Sequence, residues 1–103
     1  MRAEQDTSGC TIMIETREVR VSRCLRFQRM IDEGDAVGAV KALLKELVSD
    51  PGYTGAFHNL GLAFTAMDQL ELAKAAFELY LEIEPAGYWS LQARDELARM
   101  MNR

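Results

Sequence analysis

The feature that most constrains this chain of 103 residues is its similarity to itself at a spacing of 34 residues. When the sequence is shifted by that distance, small and apolar residues of one segment coincide with those of the next. The coinciding pairs are Ala39 with Ala73, Ala42 with Ala76, Leu43 with Phe77, Leu47 with Leu81, and Pro51 with Pro85. A fixed period of this length is typical of folds that stack one supersecondary unit on another. The sequence therefore predicts a repeat architecture.

The spacing of apolar residues predicts that each repeat is a pair of helices. Between Ala36 and Val48 they recur at intervals of three and four residues, which places them along one face of a helix. The helical pattern is interrupted at Gly34-Asp35, Asp50-Pro51-Gly52 and Pro85-Ala86-Gly87. The sequence thus predicts an all-α fold, with helices over about residues 16–33, 36–48, 54–67, 70–83 and 88–101. Residues 1–15 are predicted to form a flexible or extended tail, and residues 16–103 the helical domain.

Residues 54–87 resemble the tetratricopeptide repeat. The pattern of that family is W-x₂-L-G-x₂-Y, then A-x₃-F, then P. This sequence matches it with Phe57-x₂-Leu60-Gly61-x₂-Phe64, then Ala73-x₃-Phe77, then Pro85. Gly61 and Ala73 are small where paired helices would cross closely, and Phe77 would fill the space around the crossing. Residues 20–53 resemble the repeat less well, because Arg23 and Phe27 stand at the positions of Phe57 and Gly61.

The resemblance implies a right-handed superhelical stack of about two and a half helix-turn-helix repeats. One repeat would cover residues 20–53 and the next residues 54–87. Residues 88–102 would form a capping helix, because the last repeat of a stack otherwise leaves an apolar face in water.

Members of this family bind protein segments in a concave groove lined by the first helix of each pair. The resemblance therefore implies a non-catalytic protein–protein interaction module or scaffold, acting as a free adaptor or as a small subunit of a larger assembly. The register of the motif places six candidate partner-binding residues in the groove: Leu25, Gln28, His58, Asn59, Leu62 and Trp89. Their partly apolar composition suits an amphipathic helix or an extended hydrophobic segment of a protein or peptide.

An alternative function remains open at this point. In so short a stack the apolar groove residues could belong to the core, or could be covered by the segment Cys10-Thr11-Ile12-Met13-Ile14. The chain would then be a self-associating structural protein, with its groove filled by its own N-terminal segment or by a second copy in a homo-oligomer.

A second candidate surface is basic. Five arginines recur at every third position of the first helix: Arg17, Arg20, Arg23, Arg26 and Arg29. Because a helix has about 3.6 residues per turn, a step of three drifts around its surface, so the arginines do not form a single stripe. They are either a solvated face or a contact for an acidic partner, such as the acidic stretch of residues 66–84 in another copy.

Composition and motifs exclude several function classes. The net charge of −4 disfavours nucleic acid and anionic membranes as partners, and no apolar run approaches the roughly 20 residues of a membrane span. The two cysteines form neither a CxxC pair nor a disulfide framework, which predicts a cytoplasmic location. The single histidine has no partner at a zinc-site spacing, and nucleotide-binding and hydrolase motifs are absent. We therefore expect no enzyme activity, no metal site and no cofactor.

Overall fold

The helices of this chain end where glycine, proline or aspartate changes the backbone path. A computed structural model describes residues 17–101, apart from the side chains of Arg17, Glu18 and Arg20. It contains five helices in this order: α1 (Arg17–Asp32), α2 (Ala36–Ser49), α3 (Gly55–Ala66), α4 (Leu70–Ile83) and α5 (Ser90–Met101). Within the described range there is no strand, so the prediction of an all-α fold is confirmed. The tail of residues 1–15, with its apolar segment, lies outside the described residues.

Two of the turns depend on aspartate and glycine. Gly34 ends α1 with a φ of 93°, a left-handed conformation that glycine adopts without strain. Asp35 then begins α2, because its carboxylate accepts a hydrogen bond from the backbone N–H of Gly38 at 3.0 Å. Between α3 and α4 the left-handed residue is Asp68, with a φ of 60°. Aspartate is one of the few residues other than glycine that adopt this region readily.

α3 is the central helix of the fold. Each helix packs against the next one in the chain, and α3 also packs against α1. The neighbours of α3 are therefore α1, α2 and α4. Half of its residues are buried as a result: Ala56, His58, Asn59, Leu60, Gly61 and Ala63.

The crossing of α3 and α4 is close at Gly61. A Cβ atom added there would lie 2.6 Å from Cε1 of Phe77, which is too short for a normal contact. Phe77 itself is completely buried, as is Ala73 one turn before it. The expectation that Gly61 is small because two helices approach closely is confirmed.

The Gly61–Phe77 contact predicts a destabilised Gly61→Ala variant. The added methyl group has to displace a buried ring, and we expect a loss of about 1–3 kcal/mol of unfolding free energy in urea denaturation. This loss would be seen despite the higher helix propensity of alanine, which is worth about 1 kcal/mol. In the Gly61→Ala background, Phe77→Leu should recover part of the loss by making space.

Gly52→Ala is the matched control, because a Cβ at Gly52 meets its nearest atom at an ordinary 3.5 Å. We expect this control to stay within about 0.5 kcal/mol of wild type. Equal stability of the Gly61 and Gly52 variants would contradict the close crossing.

Candidate functional site

A cleft of about 330 Å³ lies where α1, the beginning of α3, the end of α4 and the connection to α5 meet. Val21 and Cys24 of α1 form one side. Glu84, at the end of α4, contributes the one charged side chain among the lining residues of the described range 17–101. The rest of the wall is largely aromatic, formed by Tyr53, Tyr80, Tyr88 and Trp89. We call this site the aromatic cleft.

The aromatic cleft contains every tyrosine and the only tryptophan of the sequence, which has three Tyr and one Trp. Tyr53 and Tyr80 are buried, whereas 54% of Tyr88 is exposed. The rings of Tyr88 and Trp89 meet edge to face, with centroids 4.5 Å apart. The cleft therefore has deep walls of phenol rings and an accessible aromatic rim.

Hydrogen bonds and glycines hold these walls in place. The Tyr53 hydroxyl donates to Sγ of Cys24 at 3.6 Å, and the backbone N–H of Trp89 donates to the Tyr80 hydroxyl oxygen at 3.1 Å. A Cβ at Gly87 would lie 2.7 Å from the same hydroxyl oxygen. Glycine at this position thus lets the connection before α5 lie directly against Tyr80. Burial raises the pKa of both the Tyr53 and the Tyr80 phenol, so both stay neutral.

Glu84 is the residue that gives the aromatic cleft its charge. One of its carboxylate oxygens, Oε2, accepts a hydrogen bond from the Thr54 hydroxyl at 3.0 Å. Thr54 directly precedes α3, so this bond connects the end of α4 to the beginning of α3. The carboxylate is half-buried and held at a defined place in the wall.

His58 was predicted to lie in the groove as an accessible partner-binding residue, and this prediction was wrong. Its side chain is completely buried. The imidazole stacks on Trp89, with centroids 5.2 Å apart and planes inclined by 10°, and it contacts the rings of Phe77 and Tyr80. Neither ring nitrogen has a hydrogen-bond partner in the part of the chain that is described. Burial lowers the pKa of His58 from 6.5 to about 4, so the ring is neutral at physiological pH.

Asn59 was also predicted to lie on the groove surface, and it too is completely buried. Its Oδ1 accepts a hydrogen bond from the side-chain amide of Gln28 at 3.1 Å, and its Nδ2 donates to the carbonyl of Cys24 at 3.1 Å. Both of these partners are on α1. Asn59 and Gln28 therefore join α3 to α1.

The remaining predicted groove residues do not form one surface. Trp89 lines the aromatic cleft, whereas 47% of Leu25 is exposed outside it. Leu62 is partly buried against the cluster that contains Phe77 and Tyr80. The structure thus brings together His58 with Trp89 and Gln28 with Asn59, but not all six residues. The error arises because Asn59 is covered by α1, whereas His58 is covered by Trp89 and by the rings of Phe77 and Tyr80 on α4.

The sequence reasoning missed Tyr53, Tyr80, Glu84 and Tyr88 as site residues. A signal for two of them was present, because Tyr53 directly follows Pro51-Gly52 and Tyr88 directly follows Pro85-Ala86-Gly87. Aromatic residues placed just after successive breaks would lie at the same end of a helical stack. Helical periodicity does not detect residues in the connections.

In the structure, the arginines of the predicted basic surface have different surroundings. Arg23 donates to the carboxylates of Glu46 and Asp50, each at 3.0 Å, and its guanidinium lies 4.0 Å from the centroid of the Tyr53 ring. It therefore connects α1 to α2 and the loop after it. Arg26 and Arg29 are exposed. The side chains of Arg17 and Arg20 lie outside the described part of the chain.

Residues 17–101 contain neither a metal-binding cluster nor a membrane-spanning helix. No three histidine, cysteine, aspartate or glutamate side chains are grouped there so as to hold a metal ion. None of the five helices is long and apolar enough to cross a membrane.

The buried His58 predicts a specific dependence of stability on pH. The unfolded chain binds a proton near pH 6.5, whereas the folded chain resists protonation until about pH 4. Stability should therefore fall as the pH is lowered through this window, by about 3 kcal/mol from this residue. His58→Phe keeps an aromatic ring beside Trp89 and cannot be protonated. In urea denaturation, its stability relative to wild type should rise as the pH falls from about 7 to about 4. A difference that does not change with pH would contradict the buried, neutral imidazole.

Comparison with known proteins identified no relative of this chain. No protein-family model matches the chain, and no curated protein or solved structure matches it either. The resemblance of residues 54–87 to the tetratricopeptide repeat therefore stays a prediction from the sequence pattern. The function has to be inferred from the aromatic cleft and the helices around it.

Proposed function

We propose that this chain is a non-catalytic protein-interaction module that binds an extended segment of a partner protein at the aromatic cleft. The observation that carries the proposal is that all tyrosine and tryptophan residues of the sequence line one open cleft. Tyrosine and tryptophan are enriched among the residues that contribute most to binding, because they bury large area and lose little conformational entropy. Tyr53 and Tyr80 also belong to the core, whereas Tyr88 is exposed, so its place at the cleft is not explained by core packing.

The size of the cleft supports an extended segment as the ligand. A volume of about 330 Å³ is at the lower end for small-molecule sites. It accommodates one or two side chains of a peptide but not the surface of a globular protein. A segment anchored by such side chains would run across the rim formed by Tyr88 and Trp89.

The proposal includes the architecture implied by the sequence pattern. In it, residues 20–53 and 54–87 are tetratricopeptide-like repeats in a right-handed superhelical stack, and residues 88–102 are the cap. The packing of the helices in chain order and the close approach of Gly61 to Phe77 support this arrangement. The first helix of each pair contributes to the cleft, through Val21 of α1 and Gly55 of α3, and Trp89 directly precedes the capping helix. We place the module in the cytoplasm, as cysteine usage suggests, either as a free adaptor or within a larger assembly.

A peptide-display experiment tests the proposed function. Random peptides selected on the full chain should lose roughly tenfold or more in affinity for the Tyr88→Ala variant, because this removes an accessible hot-spot ring. Leu72→Ala is the matched control, since 52% of Leu72 is exposed on α4 away from the cleft. The control should bind the same peptides like wild type. Failure to select any peptide, or peptides that bind the Tyr88→Ala variant unchanged, would contradict the proposal.

A second candidate function, self-association, is favoured by a different observation. The second helices of the two pairs each carry exposed apolar residues at positions i, i+7 and i+11. They are Val37, Leu44 and Val48 on α2, and Leu72, Leu79 and Ile83 on α4. We call these residues the outer stripes. Exposed apolar rows of this kind are typical of surfaces covered in an oligomer.

Sedimentation analysis separates the two candidates. A self-associating chain should be a dimer or larger at about 100 µM, a concentration at which even micromolar association is nearly complete. The pair Leu72→Glu and Leu79→Glu should then convert it to a monomer by placing charge in the contact, while Tyr88→Ala should have no effect. A wild-type chain that stays monomeric would contradict self-association through the outer stripes.

A further inference from the structure

We infer that the aromatic cleft takes a cationic side chain, a guanidinium or an ammonium group, from the partner segment. This inference rests on the proposed function and names the chemistry of the residue that anchors the segment.

The first reason is the charge of the cleft. Glu84 supplies the one charged group among the lining side chains that the structure describes. The phenols of Tyr53 and Tyr80 are neutral, and the faces of aromatic rings carry partial negative charge. A cation between a carboxylate and aromatic rings is attracted by both, and partial burial strengthens each attraction.

The partial charges of the helix ends at the cleft do not outweigh the negative charge of Glu84. The beginning of α3 has partial positive charge, equivalent to at most about half a unit charge. Two of its first N–H groups, those of Ala56 and Phe57, are already used, because they donate to the carbonyls of Tyr53 and Thr54. The full negative charge of Glu84 therefore outweighs the partial positive charge of the helix end.

The second reason is a cation site of the same kind elsewhere in the chain. At the 34-residue spacing, Glu84 corresponds to Asp50, and Asp50 binds the guanidinium of Arg23 at 3.0 Å. Arg23 also lies over the ring of Tyr53 at 4.0 Å. A carboxylate at the end of the second helix, together with an aromatic ring, thus holds an arginine in the first repeat.

The second repeat keeps the carboxylate but not the arginine. Phe57 stands at the position that corresponds to Arg23. Within residues 17–101, no ion pair to Glu84 is formed by a side chain that the structure describes. The Glu84 site keeps one of the two carboxylates of the Arg23 site, since Tyr80 stands at the position of Glu46. The rings of the cleft lie beside that carboxylate, and a cation from outside the repeat would complete the site.

Charge complementarity also distinguishes between the two segments that could fill the cleft, one from this chain and one from a separate protein. The N-terminal segment of residues 1–16 has one arginine against three acidic residues, Glu4, Asp6 and Glu15, so it suits a negatively charged cleft poorly. A basic segment of a separate protein suits it better. Arg20 directly precedes Val21 of the cleft wall, and Arg17 lies four residues before Val21 on α1.

The fluorescence emission of Trp89 can report binding, because Trp89 is the only tryptophan and lines the cleft. The full chain is titrated with the capped pentapeptides acetyl-Ala-Ala-X-Ala-Ala-amide, in which X is arginine, lysine, citrulline or leucine. Citrulline has the shape of arginine without the charge. We expect the arginine and lysine peptides to change Trp89 emission at millimolar concentration, and the citrulline peptide to bind roughly fivefold more weakly, because a hydrogen bond to a charged group is stronger.

Glu84→Gln tests the carboxylate. Glutamine keeps the acceptor for the Thr54 hydroxyl and so preserves the wall, and far-ultraviolet circular dichroism checks the fold. This variant should show a smaller preference for the arginine peptide over the citrulline peptide, because only the attraction of the rings for the cation remains. Glu82→Gln is the matched control, since Glu82 is exposed on α4 and does not line the cleft, and it should retain the wild-type preference.

The outcomes decide between the inference and the proposed function. Equal binding of the arginine, citrulline and leucine peptides would overturn the cation inference and leave the segment-binding proposal intact. Binding weaker than about 20 mM is too weak for a useful anchor. The inference would also be overturned if no peptide at that concentration changed the emission or the backbone amide shifts of either the wild-type chain or the combined Arg17→Gln and Arg20→Gln variant. Failure of the peptide-display selection would overturn the proposed function instead. The titration is repeated with Arg17→Gln and Arg20→Gln combined. A preference for the arginine peptide that is seen only in this combined variant would support the inference. It would mean that Arg17 or Arg20 of the chain itself competes with the peptide for the cleft.

Discussion

The contact between Gly61 and Phe77 leaves no space for even one methyl group, and the rest of the structure is arranged around it. Because α3 lies so close to α4, the Phe77 ring is completely buried and reaches the imidazole of His58, at a centroid distance of 5.7 Å. His58 in turn stacks on Trp89, and Trp89 meets Tyr88 at the rim of the aromatic cleft. A continuous series of ring contacts therefore runs from the helix crossing to the candidate binding site. Protein interiors are packed tightly enough that a shift at one end of such a series is felt at the other.

His58 is the least expected member of this series. Burying an imidazole whose nitrogens lack partners in the described structure is unfavourable, by about 1–3 kcal/mol for an unsatisfied polar group. Asn59, beside it, shows the opposite arrangement, because its amide is bonded to Gln28 and to the backbone of Cys24. A residue that only filled space between Phe77, Tyr80 and Trp89 would be better as a hydrocarbon ring. The flat, neutral imidazole supports one face of Trp89, and this support orients the ring that lines the cleft.

The fold was predictable from the sequence to the extent that its signals are local. Helix bounds agree with the expected ones to within two residues, since apolar spacing and the breaks at Gly34, Pro51 and Pro85 act within a few residues along the chain. The close approach at Gly61 followed from a small residue and an aromatic residue at matched positions. Burial of His58 and Asn59 could not be predicted in this way. It depends on α1 and on Trp89, which reach α3 from positions about 30 residues away in either direction.

The aromatic cleft was missed because its rings lie at positions where segments 34 residues apart differ in sequence. At the 34-residue spacing, Tyr80 corresponds to Glu46 and Tyr88 to Thr54. Tyr53 and Trp89 each correspond to a glycine, Gly87 and Gly55. Both glycines are at the cleft, where added Cβ atoms would meet the Tyr80 hydroxyl and Sγ of Cys24 at 2.7 and 2.5 Å. At both positions a glycine in one segment leaves space where the segment 34 residues away supplies a ring. The shared small residues Ala39 and Ala73 are completely buried, so a candidate site formed by unshared positions can acquire its own specificity without disturbing them.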